Sequence, residues 1–217
     1  MVLLLLLCTS NGCNKQLETL SIANKQIWTI EDIKFVLEEL KRATNKIRDE
    51  TVFLTEIQAS FRENDGRWSI TEIIEHLEVQ NELHFREIRA ISKTPQLLQY
   101  VDIVTGQDGY YQEYATDTAR NQLAQWYLEP IGRFGTKKKA LEAFIRTRGY
   151  FIDFVKTTGI DLRKHFTFRR NIEHLKIEDL KTGDVRDLHQ LLLTGIAHTD
   201  RHLNQIRKIK ENPDFPK

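Results

Sequence analysis

The sequence predicts an all-α protein, a four-helix bundle with a long crossover connection between helices 2 and 3. Three observations support this fold class. Four long stretches place apolar residues three and four positions apart, which is the period of one buried helix face. Each stretch follows a residue type that caps helix N-termini. The 217 residues include 10 glycines and 4 prolines, and 29% are charged, as in amphipathic helices.

The first two helices have the clearest start signals. Helix 1 is predicted at about residues 30–54, after a capping pair formed by Thr29 and Asp32. Helix 2 is predicted at residues 69–92 and opens on the sequence SITE at residues 69–72, which matches the capping box S-x-x-E. Both helices therefore start where a side chain can satisfy free backbone N–H groups.

The last two helices are bounded in the same way. Helix 3 is predicted at residues 137–157 with Thr136 as its N-cap. Helix 4 is predicted at residues 184–210 with Asp184 as its N-cap, and the proline-containing stretch ENPDFP ends it. We expect the four helices to pack as one bundle, with no β-sheet in the body.

The connection over residues 93–135 is too long for a plain loop in a compact domain, so it must carry short helices or a function. It also allows helix 3 to run in the same direction as helix 2. Tyr110, Tyr111 and Trp126 lie in this connection. Their side chains are equally suited to line a pocket or to pack in the core.

Charge and cysteine content exclude several classes of function. Lysine plus arginine number 32 and aspartate plus glutamate 31, so the chain has no basic surplus for a phosphate backbone and we expect no nucleic-acid partner. Both cysteines, Cys8 and Cys13, lie near the N-terminus. The folded body therefore has no disulfide, no thiolate metal ligand and no cysteine nucleophile.

Residues 1–13 resemble an export or lipoprotein signal, because an apolar run precedes small polar residues and a change of composition. No Lys or Arg precedes the run, and it is too short to span a bilayer as a helix. Processing would make Cys13 a lipid-modified first residue and a membrane tether. The sequence thus predicts an exported or lipid-anchored protein, otherwise a cytoplasmic one, with residues 14–28 as a linker and 29–217 as the bundle domain.

Two histidines lie one helical turn apart on the buried face of helix 4. His198 and His202 share their stripe with Leu191, Gly195, Ile206 and Ile209. A lone buried histidine is ordinarily a hydrogen-bonded core residue, whereas a pair at i and i+4 can converge on one ion.

A third ligand for such an ion has to come from another helix, and helix 2 offers two histidines. His76 and His84 both lie on or beside its buried face, and position alone does not decide between them. The chain has no E-x-x-H pair, as di-iron bundles require on two helices, and no H-E-x-x-H motif of zinc proteases.

Four stretches resemble, in the same order, the sequence blocks of the DinB-like metalloenzyme superfamily: GRWSITEIIEHLEVQNELHFREI, PIGRFGTKKKALEAFIRTR, DLRKHF and IAHTDRHLNQIRKIKENPDFP. The resemblance implies that His76, His198 and His202 are the three metal ligands and that His84 is not. Three neutral imidazoles leave positions on a divalent ion for water or substrate. Zinc, nickel, iron and copper all suit such a site. Because the ligands must be deprotonated, we expect affinity to fall below pH 6.5.

The resemblance further implies a metal-dependent enzyme with a small-molecule substrate, hydrolase-like through metal-bound water. Two alternatives stay open, a thiol-dependent transferase or isomerase and a non-catalytic protein that binds a divalent metal or small ligand. A homodimer is also left open. The catalytic residue is unassigned; Glu72 and Glu75 are candidates to act as a base or to orient an imidazole, although the capping box already explains Glu72.

The remaining polar residues near these positions have simpler interpretations. Gln205 lies near His202 on helix 4 and is a candidate to contact it. His165, His174 and His189 fall outside the three-histidine set, and we expect surface or loop roles for them.

If the leader is an export signal, the mature protein should begin at or near Cys13 and should fractionate with membranes. Intact-mass measurement on each fraction tests this, with a Cys13→Ala variant as the control that should lose the lipid mass. An unmodified Met1 in cytosolic protein would contradict the prediction.

Overall fold

The computed structural model describes residues 21–22, 25–117, 124–168 and 175–217. The predicted signal, much of the predicted linker and His174 lie outside the described residues. No helix in the described part of the chain is long and apolar enough to cross a membrane.

From residue 30 onwards the chain forms four long helices joined by shorter elements, in the following order: α1 (Ile30–Thr51), α2 (Glu56–Ser60), α3 (Ile70–Ile91), α4 (Val101–Val104), α5 (Asp108–Thr116), α6 (Lys137–Thr157) and α7 (Leu188–Glu211). Single 3-10 turns occur at Leu98–Tyr100, Trp126–Leu128, Leu162–Lys164 and Ile177–Asp179. The predicted four-helix bundle is confirmed, with α1, α3, α6 and α7 as its long helices. The crossover carries short helices, as its length requires.

Three of the four predicted N-caps occur in the structure. Thr29 and Ser69 each form a complete capping box, with Asp32 and Glu72 as the partners. The Thr136 side chain accepts from the third N–H of α6. These helices start as predicted because a capping box depends only on residues three positions apart.

The predicted N-cap of the last helix is wrong by three residues. Asp187 caps α7, with Gln190 completing its capping box, and Asp184 lies in the preceding turn. Between them, β2 (Val185–Asp187) pairs antiparallel with β1 (Phe166–Phe168). The expectation of no β-sheet is therefore wrong for these six residues. Aromatic and β-branched residues favour the ribbon, and Phe166 and Val185 bury their side chains in it.

Contacts between the long helices give their relative directions. On α3 and α6, Glu78 hydrogen-bonds Thr147 and Phe85 packs on Phe154, so both helices advance together and run parallel. On α1 and α7, Arg42 pairs with Asp200 and Glu50 with Arg207. That pair is parallel as well.

The two parallel pairs run opposite to each other. His76 of α3 lies beside His202 of α7, and His84, eight residues later, lies beside Gly195, seven residues earlier. The long connection between α3 and α6 follows from this topology, because parallel neighbours cannot be joined by a short turn.

A polar layer divides the core of the bundle into two apolar clusters. One cluster packs around Val36, Ile88, Phe151 and Leu192, and the other around Ile47, Ile73, Phe144 and Ile206. Between them lie buried or partly buried polar side chains of α3, α6 and α7, which are Glu78, Asn81, His84, Thr147, Arg148, His198, Thr199 and His202. The bundle thus surrounds a polar middle with apolar packing on both sides.

Arg163 links three elements at the end of the bundle where α1 and α7 begin. Arg163 lies 2.8 Å from carboxylate oxygens of Asp32 on α1 and Asp108 on α5, and 3.3 Å from Asp187, the N-cap of α7. Although burial raises it, hydrogen bonds from Arg163 and from the Thr29 N–H bring the pKa of Asp32 down to about 2. One guanidinium therefore contacts carboxyl groups from three separate elements.

We expect Arg163→Met to lower the free energy of unfolding by about 3–5 kcal/mol, because it leaves partly buried carboxylates without their cation. Arg48→Met removes an exposed pair with its neighbour Asp49 and should cost less than about 1 kcal/mol. Urea unfolding of both variants measures the difference. Equal losses would show that the three-carboxylate network does not hold these elements.

Candidate metal centre

The structure brings together the three histidines that the family resemblance selected. His76 comes from α3, and His198 and His202 lie one turn apart on α7. One ring nitrogen from each forms a group in which all three atoms lie within 4.8 Å of one another. His76 and His202 are buried, and His198 is partly buried.

Hydrogen bonds at the back of two rings determine which nitrogen faces the centre. His76 Nδ1 lies 2.9 Å from the Leu128 carbonyl oxygen, and His202 Nδ1 lies 2.9 Å from Gln205 Oε1. Both oxygens only accept, so each Nδ1 carries the proton and each Nε2 keeps its lone pair. The expected contact between Gln205 and His202 is confirmed.

The spacing of the facing nitrogens fits a shared ion. His198 Nε2 and His202 Nε2 are 3.1 Å apart. Two nitrogens at about 2.0–2.1 Å from one tetrahedral ion would be about 3.3 Å apart. Since the His202 Nε2 carries a lone pair, the contact needs either a proton on His198 Nε2 or a cation between the rings. The donor set therefore fits a divalent ion.

Burial keeps the three rings neutral. Burial, with a smaller contribution from His76, lowers the pKa of His202 to about 3. Burial, together with the neighbouring histidines, lowers the pKa of His198 well below its ordinary value. Burial also lowers the pKa of His76, against the opposing effect of its bond to the Leu128 carbonyl. Neutral imidazole is the form that binds a metal, so the site is ready for an ion at neutral pH.

An indole borders the three rings. The Trp68 ring lies 4.8 Å from His76 and stacks on His202 at 6.3 Å with an angle of 19°. Trp68 precedes the N-cap of α3 and also packs against the apolar cluster of Ile47 and Ile206. Trp68 therefore packs against two of the three histidine rings and covers part of the site. No local sequence pattern indicates this position.

The two candidate glutamates hydrogen-bond to groups other than the three histidines. Glu72 closes the capping box by accepting from the Ser69 N–H at 2.8 Å and forms an ion pair with Arg62. Glu75 is buried and bonds to the loop at residues 131–133. A catalytic role for either stays a prediction.

His84 lies outside the group of three. Its Nδ1 is 3.7 Å from where a Cβ on Gly195 would lie, one turn before His198. Burial, then Arg186 and Arg148, lower its pKa to about 3. His84 therefore belongs to the polar layer beside the site.

The surface or loop role expected for His189 is wrong, because His189 is buried on α7, where its Nδ1 accepts from the Trp28 indole at 3.1 Å. His165 does lie in a loop, between the Leu162–Lys164 turn and β1, although its side chain is buried. The partner of His189 lies 161 positions away in the chain, so no local pattern reveals it.

The aromatic residues of the crossover separate into two groups. Tyr111 is a core residue whose hydroxyl donates to the Val185 carbonyl, and Tyr110 packs edge-on against it. Trp126 is 81% exposed, in the same turn as Leu128. The Leu128 carbonyl was missed in the sequence because a backbone group carries no residue-type signal.

Comparisons with known proteins identify the family of the chain and agree with its helical-bundle fold. A family model described as the DinB superfamily matches residues 39–206. Among solved structures, YfiT from Bacillus subtilis, described as a probable metal-dependent hydrolase with an unusual four-helix bundle topology, superposes with a TM-score of 0.53. The identity is 12%, with 86% of this chain and 90% of that chain covered, so the likeness concerns the fold alone. Comparison with curated proteins gives no significant match.

Alanine in place of His76, His198 or His202 should release most of the bound metal, because two nitrogens hold a divalent ion far less tightly than three. His84→Ala should retain the metal and lower stability instead, through lost packing. Elemental analysis after dialysis measures the first effect and thermal unfolding the second. Metal loss in His84→Ala together with retention in His76→Ala would contradict the assignment.

The lowered pKa values change the expected pH dependence. A proton competes with the metal ion for a ring nitrogen only when the pH falls towards the pKa of that ring, so a lowered pKa moves this competition to more acidic pH. Three imidazoles with pKa near 6.5 would lose about 1000-fold in affinity on going from neutral pH to pH 5.5. We expect a loss of less than about 10-fold, measured by chelator competition. A loss near 1000-fold would contradict burial as the controlling factor.

Proposed function

The chain belongs to the DinB superfamily, and on that premise we propose that it is a metal-dependent enzyme whose divalent ion is held by His76, His198 and His202. One observation carries the proposal: three histidines from two helices, two of them buried and one partly buried, place one ring nitrogen each within 4.8 Å of one another. Nitrogen lone pairs this close together repel one another unless a proton or a cation lies between them.

The ligand set favours a catalytic metal site over a purely structural one. An ion bound by three neutral imidazoles would supply a Lewis acid with a free position, able to lower the pKa of a water molecule towards neutrality. The chain's own groups hold the ligands in place. The Leu128 carbonyl and Gln205 retain the Nδ1 protons of His76 and His202, and Trp68 excludes water from one side.

Hydrolysis of a small-molecule substrate is the activity that we propose for this site. The solved relative is itself described as a probable metal-dependent hydrolase. No cysteine lies between residues 14 and 217, so a thiol-dependent transfer or isomerisation would need a thiol from solution. Hydrolysis needs only water, which makes it the simpler use of this donor set.

The test is turnover by protein reconstituted separately with zinc, nickel or iron. Ester, amide and phosphoester substrates should be cleaved without added thiol, and chelation or His202→Ala should abolish cleavage. Lys208→Gln, an exposed change on the same helix, should have no effect. If turnover occurred only with an added thiol and an electrophilic substrate, the protein would be a thiol-dependent transferase and not a hydrolase. Stoichiometric metal without turnover or exchangeable water would indicate a binding protein, and failure to bind any metal would refute the proposal.

A further inference from the structure

A single carboxylate beside the histidines binds an entire backbone turn of the crossover. Glu75, 1% exposed, lies immediately before His76 on α3. Its Oε1 accepts from the Ile131 N–H at 2.8 Å, and its Oε2 accepts from the N–H groups of Gly132 and Arg133, both at 3.1 Å. The Arg133 guanidinium also donates to Oε1 at 2.8 Å.

The loop is shaped to make these bonds. Gly132 has a φ of +79°, in the left-handed region that favours glycine, and this conformation helps turn successive N–H groups towards one anion. Arg133 also donates to the carbonyls of Glu129 at 2.7 Å and Tyr127 at 3.2 Å. Glu75, Arg133 and the backbone of residues 127–133, together called the Glu75 clasp, therefore form one connected unit.

The clasp contains the group that orients a proposed metal ligand. Leu128 lies within it, and its carbonyl accepts from His76 Nδ1 at 2.9 Å. Two consecutive residues of α3 thus contact the same loop, one through a carboxylate and the other through an imidazole. With Glu75 bound to residues 131–133, the Leu128 carbonyl is held against the His76 ring.

We propose that Glu75 is a positioning residue of the metal centre: through the clasp it holds the Leu128 carbonyl, which keeps His76 in the tautomer whose Nε2 faces His198 and His202. The metal-binding consequence rests on the proposed function, whereas the tautomer does not. The two tautomers of a neutral imidazole are close in energy, so one retained hydrogen bond is enough to make one of them predominate.

This role differs from simple attachment of the crossover to α3. A residue that only attached the loop would change stability when replaced and would leave the protonated nitrogen of His76 unchanged. A positioning residue changes that nitrogen even in the metal-free protein. The tautomer of His76 is therefore the decisive measurement.

Glu75→Gln keeps the side-chain shape, removes the charge and places an amide NH₂ group against backbone donors. Nitrogen-15 NMR of the metal-free Glu75→Gln protein should show His76 as a mixture of tautomers, whereas the wild-type protein should show mainly the Nδ1–H form. Zinc affinity by chelator competition should fall about 10- to 100-fold, as for other groups that orient metal ligands.

Glu56→Gln is the matched control. The Glu56 carboxylate also accepts a backbone N–H at the end of the crossover, that of Lys137 at 3.1 Å, and it hydrogen-bonds no histidine in the described part of the chain. This variant should leave both the His76 tautomer and zinc affinity unchanged.

Each outcome decides the question. An unchanged tautomer and zinc affinity within about 2-fold of the unchanged chain in Glu75→Gln would overturn the inference. If that variant fails to fold, Arg133→Met keeps the backbone bonds to Glu75 and should give a smaller shift in the same direction; no shift would overturn it. If the unchanged chain binds no zinc, the proposed function fails, and the tautomer alone decides the role of Glu75.

Discussion

Burial of a polar layer in the middle of the bundle is the constraint on which the rest of the structure depends. Leaving a buried polar group without a partner costs about 1–3 kcal/mol, and this layer contains several such atoms. Glu78 Oε2, Asn81 Nδ2 and Arg148 Nε have no hydrogen-bond partner among the described residues. The apolar clusters on both sides offset this cost, at about 1.5–3 kcal/mol for each buried large side chain.

Arg148 illustrates how the layer and the two clusters depend on each other. Its guanidinium lies 5.4 Å from the Phe144 ring in one cluster and 5.9 Å from the Phe151 ring in the other, and it donates to Thr199 beside the histidines. Burial lowers its pKa to about 10, which still leaves it charged at neutral pH. Its charge adds to burial in lowering the pKa of His84, because it disfavours a second positive charge nearby. For the three clustered histidines the cation with this effect is Arg201.

The parts of this architecture that could be predicted from sequence depend on short-range chemistry. Capping boxes and helix periodicity involve residues three or four apart, and they located α1, α3 and α6 closely. The β-ribbon shifted the start of α7 because Asp184 and Asp187 are both acceptable N-caps, and only pairing with Phe166–Phe168 selects Asp187. Periodicity likewise left His76 and His84 equivalent, since both lie on inward faces; the family resemblance chose between them, and the structure brings His76 to the other two.

Contacts between residues far apart in the chain could not be predicted from the sequence, for a physical reason. In its local sequence Glu75 looks like any charged residue near the start of a helix. The N–H groups that donate to its carboxylate lie 56–58 positions away in the chain. The same holds for the Leu128 carbonyl, 52 positions from His76. These contacts exist only once the bundle topology places the end of the crossover against α3.

That topology links the fold to the site. Because α3 and α6 run parallel, the chain has to travel the length of the bundle between them, and its last part returns to the N-terminal half of α3, where His76 lies. A short connection could join only antiparallel neighbours and would bring no backbone carbonyl to the His76 ring. The crossover that the parallel pair requires is therefore also the segment that orients His76, so the helix order and the geometry of the three histidines have one structural cause.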